Sequence, residues 1–187
     1  MFVKICGITN RDDALAAIEA GARALGFIFV PSSPRRVMPD QLESWIHELP
    51  ADIWKVGVFA DETPESGGSI GARLGLHIAQ LHGAETPERH PHGMRIWKAF
   101  RVNEESNVPD YPAAEAILID GIAYDWTRTA HFTRPLILAG GLNEENVRAR
   151  IEQARPWAVD VSSGIESSPG RKDHARMKKF IEAALRS

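Results

Sequence analysis

With 187 residues, 43% of them hydrophobic and 25% charged, the chain has the makeup of an ordinary globular protein, long enough to bury a core without staples. Its 22 Lys and Arg against 25 Asp and Glu leave a net charge of −3, which excludes the overall basic footprint of a nucleic-acid-binding protein. One cysteine rules out an intramolecular disulfide, and no run approaches the ~18 apolar residues of a membrane span.

The first apolar run, FVKIC (2–6), reads as a strand of the near-continuous kind that is buried on both faces of a parallel sheet. Asn10 or Thr9 then caps a helix over RDDALAAIEA, with Asp12 and Asp13 at its favourable positive end and Gly21 as the stop. ALGFIFV (24–30) is the second strand, and Pro39 opens a helix over DQLESWIHEL at a position where its missing N–H costs nothing. IWKVGVF (53–59) follows, after which the SGGS cluster at 66–69 predicts a weakened start to the third helix. HIAQL (77–81), MRIWKAF (94–100), AILID (116–120) and PLILA (135–139) are the next four strands. The segments between them are poor in helix signals: 83–93 and 101–115 hold two prolines each, and 121–134 has room for about two helical turns at most. Asn143 caps a helix over EENVRARIEQA, AVDVS (158–162) is the eighth strand, and KDHARMKKFIEAALRS is an amphipathic helix with basic residues late.

Eight strands alternating with helices imply an α/β fold, a (β/α)8 TIM barrel, with an open doubly wound sheet as the competing arrangement. Such barrels typically need ~250 residues. A compacted barrel is therefore expected, with helices four, five and six shortened or replaced by loops. No linker divides the chain, so residues 1–187 are expected to form one domain. The opening MFVKICGI is too short and polar for a signal peptide, and a cytoplasmic location is expected. Strand faces left uncovered by missing helices would suit either a monomer or a homodimer.

In a barrel of this kind the functional residues gather where the strands end, because the loops that follow build the active face. Those ends carry Cys6, Arg35 and Arg36, Gln80 and His82, Asp120, Gly140 and Gly141, and Asp160 with Ser162, Ser163 and Gly164. Each has a plain reading. A free cysteine packs as a small hydrophobe, an arginine pair is solvated on a loop, and GG or SSG is a tight turn. Together they make a thiol, a carboxylate, a cation and two glycine-rich turns at one mouth, as acid–base chemistry on a phosphorylated small molecule requires. The seven histidines make no metal-binding spacing, and His90 and His92 flank Pro91 on a loop, so no metal is expected.

KICGIT (4–9), GFIF..SPR (26–35), VGVF (56–59), QLHG (80–83), AGGLN..NV (139–147) and DVSSGIE…G.KD (160–173) resemble the motifs of the phosphoribosylanthranilate isomerase family of tryptophan biosynthesis. The resemblance runs from residue 2 to about residue 181. It implies an Amadori rearrangement of N-(5′-phosphoribosyl)anthranilate without metal or organic cofactor. It also implies Asp120 as general acid, Cys6 as general base and Arg35 facing the anthranilate carboxylate. Gly140, Gly141, Ser163 and Gly164 would donate to phosphate, while Gln80, His82 and Asp160 would lie around the pocket. The analogous histidine-pathway isomerase resembles this family but has an aspartate where Cys6 stands. One departure is plain: the family's loop after the sixth strand carries GG.GK.FDW, where this chain has only GIAYDW (121–126). That shortening leaves open a barrel with an impaired phosphate site or no activity.

Overall fold

The computed structural model describes residues 1–121, 123–129 and 132–187. Strands β1 (Phe2–Cys6), β2 (Ala24–Ile28), β3 (Trp54–Phe59), β4 (Ile78–Leu81), β5 (Arg95–Arg101), β6 (Ala116–Asp120), β7 (Leu136–Ala139) and β8 (Ala158–Val161) run parallel and close into a barrel, β8 pairing back onto β1. All the expected strands form, and closure excludes the open sheet.

Alternation along each strand divides the apolar side chains between two cores. The inner one is made narrow by alanines (Ala24, Ala99, Ala116, Ala139 and Ala158), and Trp97, 1% exposed, fills the space they leave. At the lower mouth Phe2 stacks on Trp157 with ring centroids 4.8 Å apart, and the Arg95 guanidinium lies 4.1 Å over Trp54. The outer core joins outward strand residues such as Ile5, Leu25 and Phe27 to the helices α1 (Arg11–Ala20), α2 (Pro39–Ile46), α3 (Pro64–Leu74), α4 (Val147–Ala154) and α5 (His174–Leu185).

Local signals set most of these helix ends. Asn10 is the cap of α1, its side chain accepting from the Asp13 amide, and Gly21 ends the helix in the left-handed conformation. Thr9 is used elsewhere, donating to the Gly170 carbonyl at 2.5 Å. Two expectations need correction. Asn143 accepts from the amides of Glu145 and Asn146, so it holds a turn and α4 begins only at Val147. The last turn of α5 contains no basic residue, since Lys178 and Lys179 fall in its middle.

Loops do replace helices after β4 and β5, and the stretch after β6 holds a single 3-10 turn, Trp126–Thr129, among its described residues. Ile122, within the short turn singled out after Asp120, lies outside the described residues, as do Ala130 and His131. Burial of Val108, Tyr111 and Ala114 in one loop, and of Pro91 in the other, covers the strand faces that helices cover elsewhere.

SGGS lies in the first turns of α3, which begins at Pro64, where the Thr63 side chain accepts from the Ser66 amide. A Cβ on Gly67 would lie 2.6 Å from Pro91 Cγ, so the glycine is what lets the loop lie across the helix. A Cβ on Gly68 would meet only the His92 backbone, its carbonyl oxygen at an ordinary 3.5 Å and its nitrogen at 3.7 Å. Opposite signs are therefore expected for two adjacent substitutions. Gly67→Ala should lose about 1–2 kcal/mol, overpacking outweighing the gain in helix propensity. Gly68→Ala should gain about 0.5–1 kcal/mol. Urea midpoints of the two variants check this, and shifts of the same sign would show that Pro91 does not press on α3.

The structure adds one element that the periodicity did not announce. After β8 a 3-10 turn, Ser163–Ile165, leads into a hairpin of β9 (Glu166–Ser168) and β10 (Arg171–Lys172), in which Lys172 pairs with Glu166. The Lys172 amide donates to Asp13 of α1 at 2.9 Å, which ties the hairpin to the upper rim.

Candidate active site

A cavity of about 600 Å³ opens at the C-terminal ends of the strands. Of the ten residues to which the resemblance gives a role, nine line it: Cys6, Arg35, His82, Asp120, Gly140, Gly141, Asp160, Ser163 and Gly164. The exception is Gln80, fully buried beneath, whose Nε2 lies 2.6 Å from His82 Nε2. Gln80 therefore fixes the His82 ring and does not itself reach the cavity. Arg36 is exposed and contributes nothing to the mouth.

Cys6 ends β1 with its side chain directed inward, and the same two-residue period puts Lys4 on that face below it. Lys4 is completely buried inside the barrel, and its ammonium donates to Asp160 Oδ1 at 2.9 Å. The neighbouring strand makes room for both groups: a Cβ on Gly26 would lie 2.8 Å from Cys6 Sγ and 3.1 Å from Lys4 Nζ. Burial pushes the Cys6 thiol above its ordinary range; Lys4 favours the thiolate, the Asp160 carboxylate opposes it, and Lys172 favours it more weakly. Burial alone would push Lys4 down, but Asp160 and the sulfur hold its ammonium above the usual lysine range.

Asp120 ends β6 about a quarter exposed, with Arg101 Nε 3.9 Å from its carboxylate. Burial raises its carboxyl above the ordinary range in spite of Arg101, so it keeps a proton more readily than a surface aspartate. His82 is pulled down to about 4, first by burial and then by Lys4, Lys98 and Arg101, so at neutral pH it is an uncharged hydrogen-bonding group.

The two glycine turns meet at one side of the cavity. Gly140 and Gly141 have φ of +86° and +61°, a backbone that strongly favours glycine. A Cβ on Gly164 would run into the Leu142 carbonyl oxygen, so this glycine brings the turn after β8 against the turn after β7. Amides at the start of the Ser163–Ile165 turn have no carbonyl behind them within the turn and are free for an anion.

Arg35 reaches the cavity in the grip of a residue to which the sequence analysis assigned no role. Its Nε and Nη2 make a bidentate pair with Glu166 at 2.9 and 2.7 Å. Lys172 Nζ donates to the same carboxylate at 2.7 Å and to the Ser162 carbonyl at 3.2 Å. Arg35 and Lys172 outweigh burial and hold the Glu166 carboxyl below its usual range. Lys4 was legible, two residues from Cys6 on one strand face. Glu166 and Lys172 stand in the DVSSGIE…G.KD motif, but no periodicity marks a three-residue strand.

Among the described residues no three His, Cys, Asp or Glu side chains converge as metal ligands would. None of the helices described is long and apolar enough to cross a membrane. The arrangement gathers a thiol, a carboxyl that keeps its proton more readily than a surface aspartate, a guanidinium and two glycine turns around one cavity.

The chain is similar to known proteins over nearly its whole length. The family model for N-(5′-phosphoribosyl)anthranilate (PRA) isomerase matches residues 3–183. The N-(5′-phosphoribosyl)anthranilate isomerase of Geobacter sulfurreducens is 45% identical over 198 aligned positions, covering 97% of each chain. Those 198 positions exceed the 187 residues of this chain, so the relative carries insertions that this chain lacks. A phosphoribosyl anthranilate isomerase in complex with reduced 1-(o-carboxyphenylamino)-1-deoxyribulose 5-phosphate superposes with a TM-score of 0.87 at 40% identity, both chains covered in full. Monomers generated from the dimeric enzyme of Thermotoga maritima give 0.88 at 41% identity, again over both full chains.

Proposed function

The chain belongs to the N-(5′-phosphoribosyl)anthranilate isomerase family, and on that premise we propose how its residues divide the Amadori rearrangement of tryptophan biosynthesis. Asp120 protonates the furanose ring oxygen, the ring opens, and the anilino nitrogen's lone pair completes an iminium at C1′. The Cys6 thiolate then removes the C2′ proton, whose acidity the iminium raises, and the electron pair of that C–H bond flows back to nitrogen. The enolamine formed tautomerises to the 1-deoxyribulose ketone. Arg35 faces the anthranilate carboxylate, and the amides about Gly140, Gly141, Ser163 and Gly164 hold the phosphate. Neutral His82, steadied by Gln80, borders the sugar, and Asp160 keeps Lys4 in place below Cys6.

The observation that carries this reading is the raised carboxyl of Asp120 at the same cavity as the Cys6 thiol. Two titrating groups with opposed tasks then share one cavity. Steady-state turnover of N-(5′-phosphoribosyl)anthranilate by the purified chain tests it. Absence of turnover from folded protein would leave the non-catalytic barrel.

In this reading the chain works as one domain over residues 1–187, as a monomer or a homodimer, the Thermotoga relative being dimeric. A catalytic thiol that must stay reduced supports the cytoplasm as its compartment.

The short segment 121–126 has a kinetic consequence. A loop that bonds phosphate equally in ground and transition states lowers KM without raising kcat. One or two charge-assisted hydrogen bonds lost with it weaken affinity by roughly 10- to 100-fold or more. Grafting a GG.GK.FDW loop in place of residues 122–126 should therefore lower KM by about that factor and leave kcat nearly unchanged. An unchanged KM would show that the turns after β7 and β8 already satisfy the phosphate.

A further inference from the structure

We propose that Lys172 is a positioning residue for recognition of the substrate carboxylate, acting through Glu166 to leave the Arg35 guanidinium with a charge to offer. The proposal rests on the reading that Arg35 faces that carboxylate.

The argument is a charge count in a buried place. Arg35 lays one edge of its guanidinium, Nε and Nη2, against both oxygens of Glu166. Such a pair is close to neutral as seen from the cavity, and by itself would attract an organic acid only through a dipole. Lys172 supplies the missing unit: its ammonium, with a side chain 0% exposed, sits 2.7 Å from Glu166 Oε1. Two cations on one carboxylate leave the trio at +1. Of the three, only Arg35 lines the cavity, and among the described residues its Nη1 has no protein acceptor. The surplus charge is thus presented where a substrate carboxylate can accept it.

The hairpin makes this arrangement rigid. Glu166 and Lys172 are cross-strand partners, and the Lys172 amide is held by Asp13, itself bonded to Asn10 and His174. Burying a lysine is expensive, and a neutral donor would hold Glu166 as well. What the ammonium adds is charge. Besides Glu166, the groups that interact with its charge are Arg35, Cys6 and Asp160, with Asp13 and the His174 ring beyond its backbone amide, so an effect on the thiol is the rival role that an experiment must separate.

The test compares two stable ligands on the full chain by titration calorimetry. One is reduced 1-(o-carboxyphenylamino)-1-deoxyribulose 5-phosphate, and the other is the same molecule with an unsubstituted phenyl ring. The quantity read is the ratio of their Kd values, which a general loosening of the site does not move. Lys172→Met should weaken the carboxylate ligand about 10- to 100-fold and the phenyl ligand less than threefold, collapsing the ratio, and Lys172→Arg should restore it. Lys172→Met combined with Glu166→Gln removes the buried carboxylate with the cation and returns the count to +1. This double variant should regain most of the ratio, and it carries the test by itself should the single variant not fold. Equal weakening of both ligands, an unchanged ratio, or a double variant with no recovery overturns the proposal. So does a Lys172→Met enzyme whose ratio is intact while the thiol limb of its kcat–pH profile moves. Arg35→Met separates the premise from the inference. If it leaves the ratio intact, the Arg35 reading itself fails; if it collapses the ratio and Lys172→Met does not, only the role of Lys172 is lost.

Discussion

Cys6→Ala and Asp120→Asn should each lower kcat by about 10²–10⁴-fold, because in the proposed mechanism each removes a group that moves a proton in the transition state. Neither change opens a large hole. Cys6 loses one sulfur from a barrel mouth that already faces the cavity, and asparagine keeps the shape of Asp120 while losing the proton it would donate. Binding and folding are therefore expected to stay near wild type, so the loss appears in kcat with KM changed by less than threefold. The pH dependence distinguishes the two roles. The wild-type rate rises with the thiolate and falls when the carboxyl that must be protonated titrates. Burial lifts the Asp120 carboxyl, which extends the protonated form toward neutral pH and moves that fall to higher pH than an ordinary aspartate would give. In Asp120→Asn only the rise with thiolate formation should remain. Steady-state constants across pH for both variants check this, and a variant retaining more than a tenth of wild-type kcat would not be missing an acid or a base.

The second large effect concerns the ion pair inside the barrel. Lys4→Met leaves Asp160 buried without its cation, and breaking one side of such a pair costs about 3–5 kcal/mol. For a domain of this size that corresponds to a fall in Tm of roughly 6–20 °C. Replacing both partners, Lys4→Met with Asp160→Leu, removes the unpaired charge, and stability should return to within about 1 kcal/mol of wild type or exceed it. Turnover should not return with it. Lys4 is the cation nearest Cys6 in its own strand, and without it burial leaves the thiol protonated. Thermal melts and kcat measured side by side decide the point. A double variant as stable and as active as wild type would reduce Lys4–Asp160 to packing, whereas recovered stability with lost turnover shows that the pair is kept for Cys6.

Much of this protein was legible one residue at a time. Runs such as FVKIC and AILID are legible as strands because they are near-continuously apolar, and in a parallel barrel both faces of a strand are covered. Asn10, Gly21 and Pro39 mark helix ends because capping depends on a side chain and the backbone within three or four residues of it. Site residues at strand ends could be read for the same reason: once the strands are counted, period and polarity say which ends face the mouth. Proline content even announced the connections that do without helices.

What no local pattern carried are facts about pairs far apart in the chain. Gly67 and Pro91 require each other across 24 residues, so SGGS read only as a weak start to a helix when Gly67 is also the seat of a loop. Gln80 alternates into the barrel like a lining residue, yet lies below the cavity because His82 stands above it. Arg35 was expected to meet a substrate, and only the folded chain shows that Glu166, 131 residues later, already holds it while Lys172 balances the charge. Capping and strand burial are short-range, so composition and spacing determine them. Steric fit and Coulomb interaction act through space, and only closure of the barrel brings those partners within reach.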